Sequence, residues 1–204
     1  MNKDEYLEIL KNSISWFKYY ESQKYIAQVL FDKAISKEVL LEMKDNFDDD
    51  RFTTLFVNAH YHWGIAIENA LKAIIVKTIP ESIEYEIKND NVLLKSIGGK
   101  AGKTHNLGSL AELCGIFDTN NTIYDSSYDY DHLKQVLLHF TDMIKWGARY
   151  PLPNNTATVY KNKSTTFPSI IYGFHILDII NPLFQYFDMI WRTNTIIENP
   201  YINE

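Results

Sequence analysis

The 204-residue sequence predicts an all-α protein, an up-and-down bundle of about five helices with at most a minor β-hairpin. Apolar residues recur every three or four positions along most of the chain, which is the helical period. Glycine and proline, the residues that interrupt helices, are scarce at 8 and 6. Short stretches with strand character occur only at 92–97 and 157–160. Helices therefore account for most of the predicted structure.

The first two predicted helices form the N-terminal half of the chain. Residues 4–36 are predicted as one long helix or as a broken pair of helices. A second helix is expected over 51–79, where apolar side chains step by three or four and Pro80 ends the run. The acidic run 48–50 just before it favours a helix start. Residues 81–104 are predicted to be irregular, with a cluster of glycines.

The remaining helices are shorter or end in prolines. A short helix is expected to begin after Asn106, a suitable N-cap, and to end near Gly115. A further helix covers about 130–147, and a last one runs from Pro168 to about Trp191, with Pro182 as the position where a kink is expected.

We expect a single domain overall. Residues 1–151 form the helical bundle, and residues 152–204 form a C-terminal extension whose further helix packs on the same bundle.

Composition excludes several classes of protein. A single cysteine, Cys114, rules out an internal disulfide and a cysteine-rich metal site, so a cytoplasmic setting is expected. Its place at the C-terminal end of a short helix favours an inert thiol over a nucleophile. The N-terminal residues lack the pattern of a signal peptide, and no long uncharged apolar run predicts a membrane span.

The net charge of −6 is unevenly distributed. Residues 143–177 contain no acid and carry +4, and residues 91–111 contain no acid and carry +3, so the rest of the chain carries −13. Local potential, more than total charge, steers a charged ligand. The two acid-free stretches are therefore either solvated loops or parts of a phosphate-binding surface. Their basic residues are Lys95, Lys100, Lys103, Lys145, Arg149, Lys161 and Lys163.

A glycine-rich segment and a set of histidines lack the spacing that a phosphate loop or a metal site requires. The segment GGKAGKT (98–104) places Ile97 where a phosphate loop requires its first glycine, so it is predicted to be a flexible glycine loop with two lysines. His60 and His62 would point to different sides of a helix, and His132 and His139 lie about 10 Å apart along one. The histidines are therefore expected at helix surfaces or core edges, and no metal or cofactor is predicted.

Glu68 and Lys72 are spaced i,i+4 on the second helix, beside its apolar stripe. This spacing fits a routine helix ion pair. It also fits a lysine that projects from a half-buried face toward an anion. The sequence leaves both interpretations open.

Three segments in order resemble HEPN domains, which are small all-α bundles. They are AIENALKAIIV (66–76), THNLGSLAEL (104–113) and GARYP (147–151), preceded by a long helix with SWFKYYESQKYIAQVLF (15–31). The family patterns E-x-x-L-K-A, T/G-H-D/N-L and R-Y-P fall on the following residues: Glu68, Leu71, Lys72, Ala73, Thr104, His105, Asn106, Leu107, Arg149, Tyr150 and Pro151.

The resemblance implies a protein associated with nucleotidyltransferases or with toxin–antitoxin and defence systems. Many HEPN proteins are ribonucleases with an Arg-x4–6-His motif, which this chain lacks, so no catalytic residue is predicted. The leading hypothesis is a protein that binds a nucleotide or RNA, or serves as the partner of a nucleotidyltransferase, and that forms a homodimer through its first helices. The expected phosphate-binding residues are Lys72, Lys100, Lys103, His105 and Arg149, with Glu68, Thr104, Asn106, Tyr150 and Pro151 as structural motif residues.

Two alternatives stay open. The chain could be a protein–protein interaction module without a nucleotide ligand, because 14 tyrosines and 11 phenylalanines could supply a partner surface. It could also be an unconventional ribonuclease or a nucleotide transferase that depends on a partner.

Overall fold

The computed structural model describes residues 2–45, 51–118, 120–147 and 175–198. Over these residues the protein is mostly helical, with a single two-stranded antiparallel hairpin. The predicted helical class with a minor hairpin is confirmed at this level. None of the helices in these segments combines the length and the apolar character needed to span a membrane.

The N-terminal region is a broken pair of helices, as one of the two predictions stated. α1 covers Lys3–Lys11 and α2 covers Ser13–Ala34. Asn12 separates them with an extended backbone, and its side-chain oxygen accepts a hydrogen bond from the Ile14 amide at 2.9 Å. α3 (Lys37–Asp45) follows and was not predicted.

α4 (Arg51–Thr78) is the central helix of the fold. It ends just before Pro80, as predicted, and a 3₁₀ turn follows at Pro80–Ser82. α4 packs along α2 on one side and against the later helices on another. A Cβ at Gly64 would lie 2.7 Å from Ile144, so this glycine lets the helix carrying Ile144 approach α4 closely.

The segment predicted to be irregular contains the hairpin, so that prediction was wrong for most of 81–104. β1 (Ile83–Lys88) pairs with β2 (Asn91–Ile97) through a tight turn at Asn89 and Asp90, which both have positive φ. The expected strand at 92–97 forms within β2, whereas the one at 157–160 lies outside the described residues. A bulge after Glu84 shifts the alternation of β1, which weakened its strand signal.

The glycine cluster forms a compact junction between β2 and two short helices, α5 (Gly99–Lys103) and α6 (Leu107–Leu113). A Cβ at Gly102 would lie only 1.9 Å from the Ile97 carbonyl oxygen. The glycines thus permit close backbone packing, and the prediction of a flexible glycine loop was wrong here. Asn106 caps α6 as predicted by accepting from the Ser109 amide at 3.0 Å.

The last described elements pack on the same core. α7 (Ser127–Asp142) continues into a π-helical turn, Met143–Gly147. A π-helical segment, His175–Ile180, leads into α8 (Asn181–Glu198), so the helix changes geometry next to the predicted kink at Pro182. The Phe17 ring of α2 packs against Trp191 of α8 at 5.3 Å between centroids.

Candidate functional site

The site is centred on Glu68, a buried carboxylate in the middle of α4. Its side chain is only 4% exposed. Lys72, one turn later, places its Nζ 2.5 Å from Glu68 Oε1, and its ammonium lies 5.8 Å from the centroid of the Trp16 ring. Lys72 is thus engaged by a carboxylate and an aromatic face, which is the helix ion pair of the sequence analysis.

His105 reaches Glu68 from the α5–α6 turn. Its Nδ1 lies 2.9 Å from Oε1 and 3.1 Å from Oε2 of Glu68. The backbone of His105 has φ 51°, a left-handed conformation that is uncommon for a residue other than glycine. Local strain of this kind persists where the surroundings hold it.

The turn after His105 is tied down by hydrogen bonds. Asn106 caps α6, and the Leu107 amide donates to Thr141 Oγ1 of α7 at 3.0 Å in a buried position. Three elements, α4, α6 and α7, therefore position the histidine.

Glu68 is ionised despite its burial. Burial by itself raises the pKa of a carboxylate. The hydrogen bond from His105 and the positive charge of Lys72 outweigh that effect, and the pKa of Glu68 is lowered overall. The carboxylate thus offers a fixed negative charge to the imidazole.

This geometry defines what His105 can do. A ring nitrogen that faces a carboxylate carries its proton toward it, so Nδ1–H donates to Glu68 and the lone pair of the neutral ring lies on Nε2. The side chain is 48% exposed. The ring is therefore held in one tautomer while part of it faces solvent. It accepts a hydrogen bond at Nε2 when neutral and donates one to an anion when protonated.

A surface cleft of about 620 Å³ lies beside this turn. Lys100, Thr104 and Asn106 contribute to its wall. Lys100 has no ion pair with any residue that the structure describes, whereas Glu112 brings one negative charge to the rim. The cleft therefore offers a lysine and several neutral polar groups to a ligand.

In the folded structure, acidic residues of β1 lie next to the acid-free stretch 91–111. Lys103 pairs with Glu84 at 3.0 Å and Lys95 with Glu86 at 3.1 Å, both from β1. Strand β1, which the sequence analysis missed, carries these carboxylates and places them beside the lysines. Of the three lysines in this stretch, Lys100 is the one that keeps its charge available at the cleft.

Part of the predicted site lies outside the described residues. Arg149, Tyr150 and Pro151 are in the segment 148–174, as are Lys161 and Lys163. The structure therefore brings together Glu68, Lys72 and His105, with Thr104 and Asn106 in the adjoining turn. The expected meeting of His105 with Arg149 stays a prediction.

Cys114 shows no sign of reactivity. Its Sγ donates to the Leu71 carbonyl oxygen at 3.4 Å, and burial raises the pKa of the thiol to about 12. A neutral thiol at physiological pH is not a nucleophile.

Sequence reasoning missed two histidine pairs. His60 Nδ1 lies 3.0 Å from His139 Nε2, and His132 Nδ1 lies 3.2 Å from His175 Nε2. His60 is 0% exposed, so its expected position at a helix surface or core edge was wrong. Spacing rules compare residues on one helix, whereas these pairs join different elements. Within the described segments no group of three or more potential ligands could hold a metal ion.

Comparisons with known proteins give no further guide. A scan against protein-family models, a search of curated proteins and a search of solved structures each found no match.

Proposed function

We propose that the chain is a HEPN-like up-and-down helical bundle that binds a phosphate-bearing ligand, a nucleotide or RNA, at the turn between α5 and α6. His105 and Lys100 contact the phosphate, and Glu68 orients His105. The observation that carries this proposal is the pair of short contacts between His105 Nδ1 and the buried, ionised Glu68. A carboxylate that fixes one ring nitrogen prepares the other for a ligand.

The charges around the turn support a phosphate as ligand. Lys100 lines the adjoining cleft without an ion pair among the described residues, and Asn106 and Thr104 supply polar groups. Protonated imidazole and ammonium groups form charge-assisted hydrogen bonds to phosphate oxygens. Lys72 contributes indirectly, because it holds Glu68 in its ionised form. On the sequence evidence, Arg149 adds a further positive charge.

The proposed role is binding without ribonuclease activity of its own. The sequence lacks the Arg-x4–6-His spacing, because His60 is the first histidine after Arg51, His175 is the first after Arg149, and none follows Arg192. A binding protein of this kind fits a cytoplasmic partner of a nucleotidyltransferase in a toxin–antitoxin or defence system.

Isothermal titration calorimetry with ATP, GTP, inorganic phosphate and a short single-stranded RNA tests the proposal. Wild type is expected to bind at least one nucleotide or the RNA. The variants His105→Gln and Lys100→Gln should each weaken binding about tenfold, since each removes a charge-assisted contact. Arg149→Ala should weaken it as well.

Lys134→Gln is the matched control, because it removes an exposed lysine on α7 that pairs with Asp131. It should leave affinity within about twofold of wild type, as expected for a distant surface charge screened by salt. Absence of binding to every probe, or unchanged affinity in His105→Gln, contradicts the proposal. Hydrolysis of the RNA that disappears in His105→Gln would support the alternative of an unconventional ribonuclease.

A second candidate function, a protein–protein interaction module, is favoured by a separate observation. One side of α2 exposes large apolar side chains, namely Tyr19, Tyr25, Ile26 and Val29. Apolar groups clustered on a surface mark interaction sites. The proposed homodimer through the first helices would bury this surface.

Light scattering coupled to size exclusion tests the dimer. Wild type should elute at twice the mass of one chain, and Ile26→Glu/Val29→Glu should elute at the mass of one chain. A monomeric wild type at all concentrations would remove the support for this homodimer. Leu138→Glu, on an exposed position of α7, is the control for the added charge.

A further inference from the structure

Two imidazole pairs connect three elements of the fold. His60 of α4 contacts His139 of α7 at 3.0 Å, and His132 of α7 contacts His175 of the π-helical segment at 3.2 Å. His132 and His139 are seven residues apart, so they project from the same side of α7. The pairs form a line of four histidines from the core toward the surface.

We propose that this line of histidines is an acid-sensitive latch: when His132 and His175 both take up protons, the π-helical segment His175–Ile180 detaches from α7, while the Asp188 end of α8 stays attached to α2. The proposal concerns a part of the molecule separate from the α5–α6 turn.

Protonation changes the contact between two paired imidazoles from attractive to repulsive. In each pair one ring donates an N–H and the other accepts with a lone pair. A pair that is fully protonated has two N–H donors and two positive charges about 3 Å apart, so the contact becomes repulsive. His60, His139 and His175 are all buried, which adds the cost of placing charge away from water.

Burial and the neighbouring imidazoles disfavour the protonated form of these rings. Burial and then His139 lower the pKa of His60, and burial and then His175 lower that of His139 to about 4. Burial and then His132 lower the pKa of His175. Asp142 of α7 and Asp178 of the π-helical segment lie one turn from His139 and His175 in the sequence. Asp131, next to His132, pairs with Lys134 at 3.1 Å. The Tyr128 ring lies 4.3 Å from the His132 ring.

The two ends of the last helix are held by different chemistry. At the start, the histidine pair and a hydrogen bond from Tyr124 Oη to the Ile179 carbonyl oxygen act alongside the buried side chains of Ile179 and Ile180. Further along, Asp188 accepts from Tyr20 Oη at 2.7 Å and pairs with Lys24 at 2.6 Å. A carboxylate–ammonium pair persists between pH 5 and 7.5, whereas a histidine contact changes in that range. Acid therefore weakens the contact at the His175 end and leaves the Asp188 end attached.

The inner pair, His60 and His139, is shielded from solvent by aromatic rings. The His60 ring is enclosed by Phe56 at 4.2 Å, Trp63 at 5.6 Å and Phe140 at 5.9 Å between centroids. His132 is only partly buried and lies against exposed Tyr128. Protons from water thus reach the outer pair first.

Acid favours the released segment, because docking lowers the pKa of His175. A released histidine titrates near its ordinary pKa of about 6.5, whereas docked His175 titrates lower, so the released form binds more protons in acid. The equilibrium constant for opening should therefore rise about tenfold per pH unit below 6.5 for each proton taken up.

Hydrogen-exchange mass spectrometry of the full chain between pH 7.5 and 5.0, corrected for intrinsic exchange rates, tests the latch. Peptides covering 176–183 should lose protection by about tenfold or more between pH 6.5 and 5.0. Peptides from the middle of α2, including Tyr20 and Ala27, should remain more protected than 176–183 at every pH, because they exchange only when the whole core unfolds.

Variants identify the groups that titrate. Glutamine retains a hydrogen-bonding side chain without titrating, so His132→Gln and His175→Gln should flatten the pH dependence at 176–183. His105→Gln, the same substitution at the α5–α6 turn, should retain it. The latch is contradicted by a pH-independent wild type, by protection of 176–183 that equals that of α2 at every pH, or by an unchanged slope in both variants. If a variant fails to fold, the wild-type comparison of the two regions decides.

Discussion

At the scale of single residues, Glu68 determines the properties of the candidate site. It is a buried carboxylate with two partners, Lys72 at 2.5 Å and His105 at 2.9 Å. A buried ion pair has a high cost of desolvation, and losing one partner leaves the other charge uncompensated. The neutral variant Glu68→Gln therefore exposes how much the fold depends on that charge.

We expect Glu68→Gln to lower the free energy of unfolding at pH 7 by about 2–4 kcal/mol, because Lys72 loses its counter-charge in a mostly buried position. Urea denaturation followed by circular dichroism measures this change. The double variant Glu68→Leu/Lys72→Leu should recover part of the loss, since neither charge is left alone. A loss below about 0.5 kcal/mol in Glu68→Gln would mean that the pair behaves as an exposed one.

At the scale of elements, the junction between β2 and α5 depends on Gly102. A Cβ at this position would meet the backbone of Ile97 at 1.9 Å from the carbonyl oxygen. Backbone atoms cannot rotate away as a side chain can, so the junction would have to move. Gly108 of α6 offers a comparison, because a Cβ there would lie 3.5 Å from Asn106 Oδ1, an ordinary contact.

Gly102→Ala is expected to lower the free energy of unfolding by about 3 kcal/mol or more, since overpacking against backbone is among the costly mutation classes. Gly108→Ala should be neutral or stabilise by up to about 1 kcal/mol, because alanine favours helix over glycine. Thermal and urea denaturation of both variants compare the two sites. Equal effects of the two substitutions would contradict the close packing at Gly102.

The elements also show how far the sequence predicts this fold. Helical periodicity located α4 to within one residue at its C-terminal end, because Pro80 marks the boundary. The first strand of the hairpin was missed because the bulge after Glu84 breaks the alternation of β1 and because Ile87 remains exposed. The contact of His105 with Glu68 joins residues 37 positions apart, and no local pattern reports such a contact.

At the scale of the whole molecule, buried histidines make stability depend on pH. His60 and His139 lie in the core between α4 and α7, and burial is the first cause that lowers the pKa of each ring. The unfolded chain binds protons at these histidines near pH 6.5, whereas the folded chain does so only at lower pH. Stability is therefore fully present above about pH 6.5 and is lost as the pH falls toward the folded pKa values.

We expect the free energy of unfolding to fall by about 2 kcal/mol for each of His60 and His139 between pH 7.5 and 5.0. Urea titrations at several pH values measure the slope. His60→Leu/His139→Leu removes both titrating groups and should show a shallower slope than wild type. A slope identical to wild type in this double variant would contradict the assignment of acid sensitivity to the core pair.

The charge of the whole molecule shows a further limit of sequence reading. Two acid-free stretches suggested a basic surface, yet the hairpin neutralises Lys95 and Lys103 with Glu86 and Glu84. Net charge along a chain omits partners that folding brings near. The proposed ligand site therefore depends on a smaller set of groups, with His105 and Lys100 at its centre.

Nitrogen-15 NMR of the His105 imidazole at pH 7.5, assigned with His105→Gln, tests this central claim most directly. We expect the ring of the free protein to be protonated at Nδ1 with a lone pair on Nε2. When ATP, GTP or short RNA is added, Nε2 should gain a proton to donate to the phosphate, and its resonance should shift. A proton on Nε2 in the neutral ring, or an Nε2 resonance that none of these ligands changes, would contradict the claim that Glu68 presents His105 to a phosphate-bearing ligand.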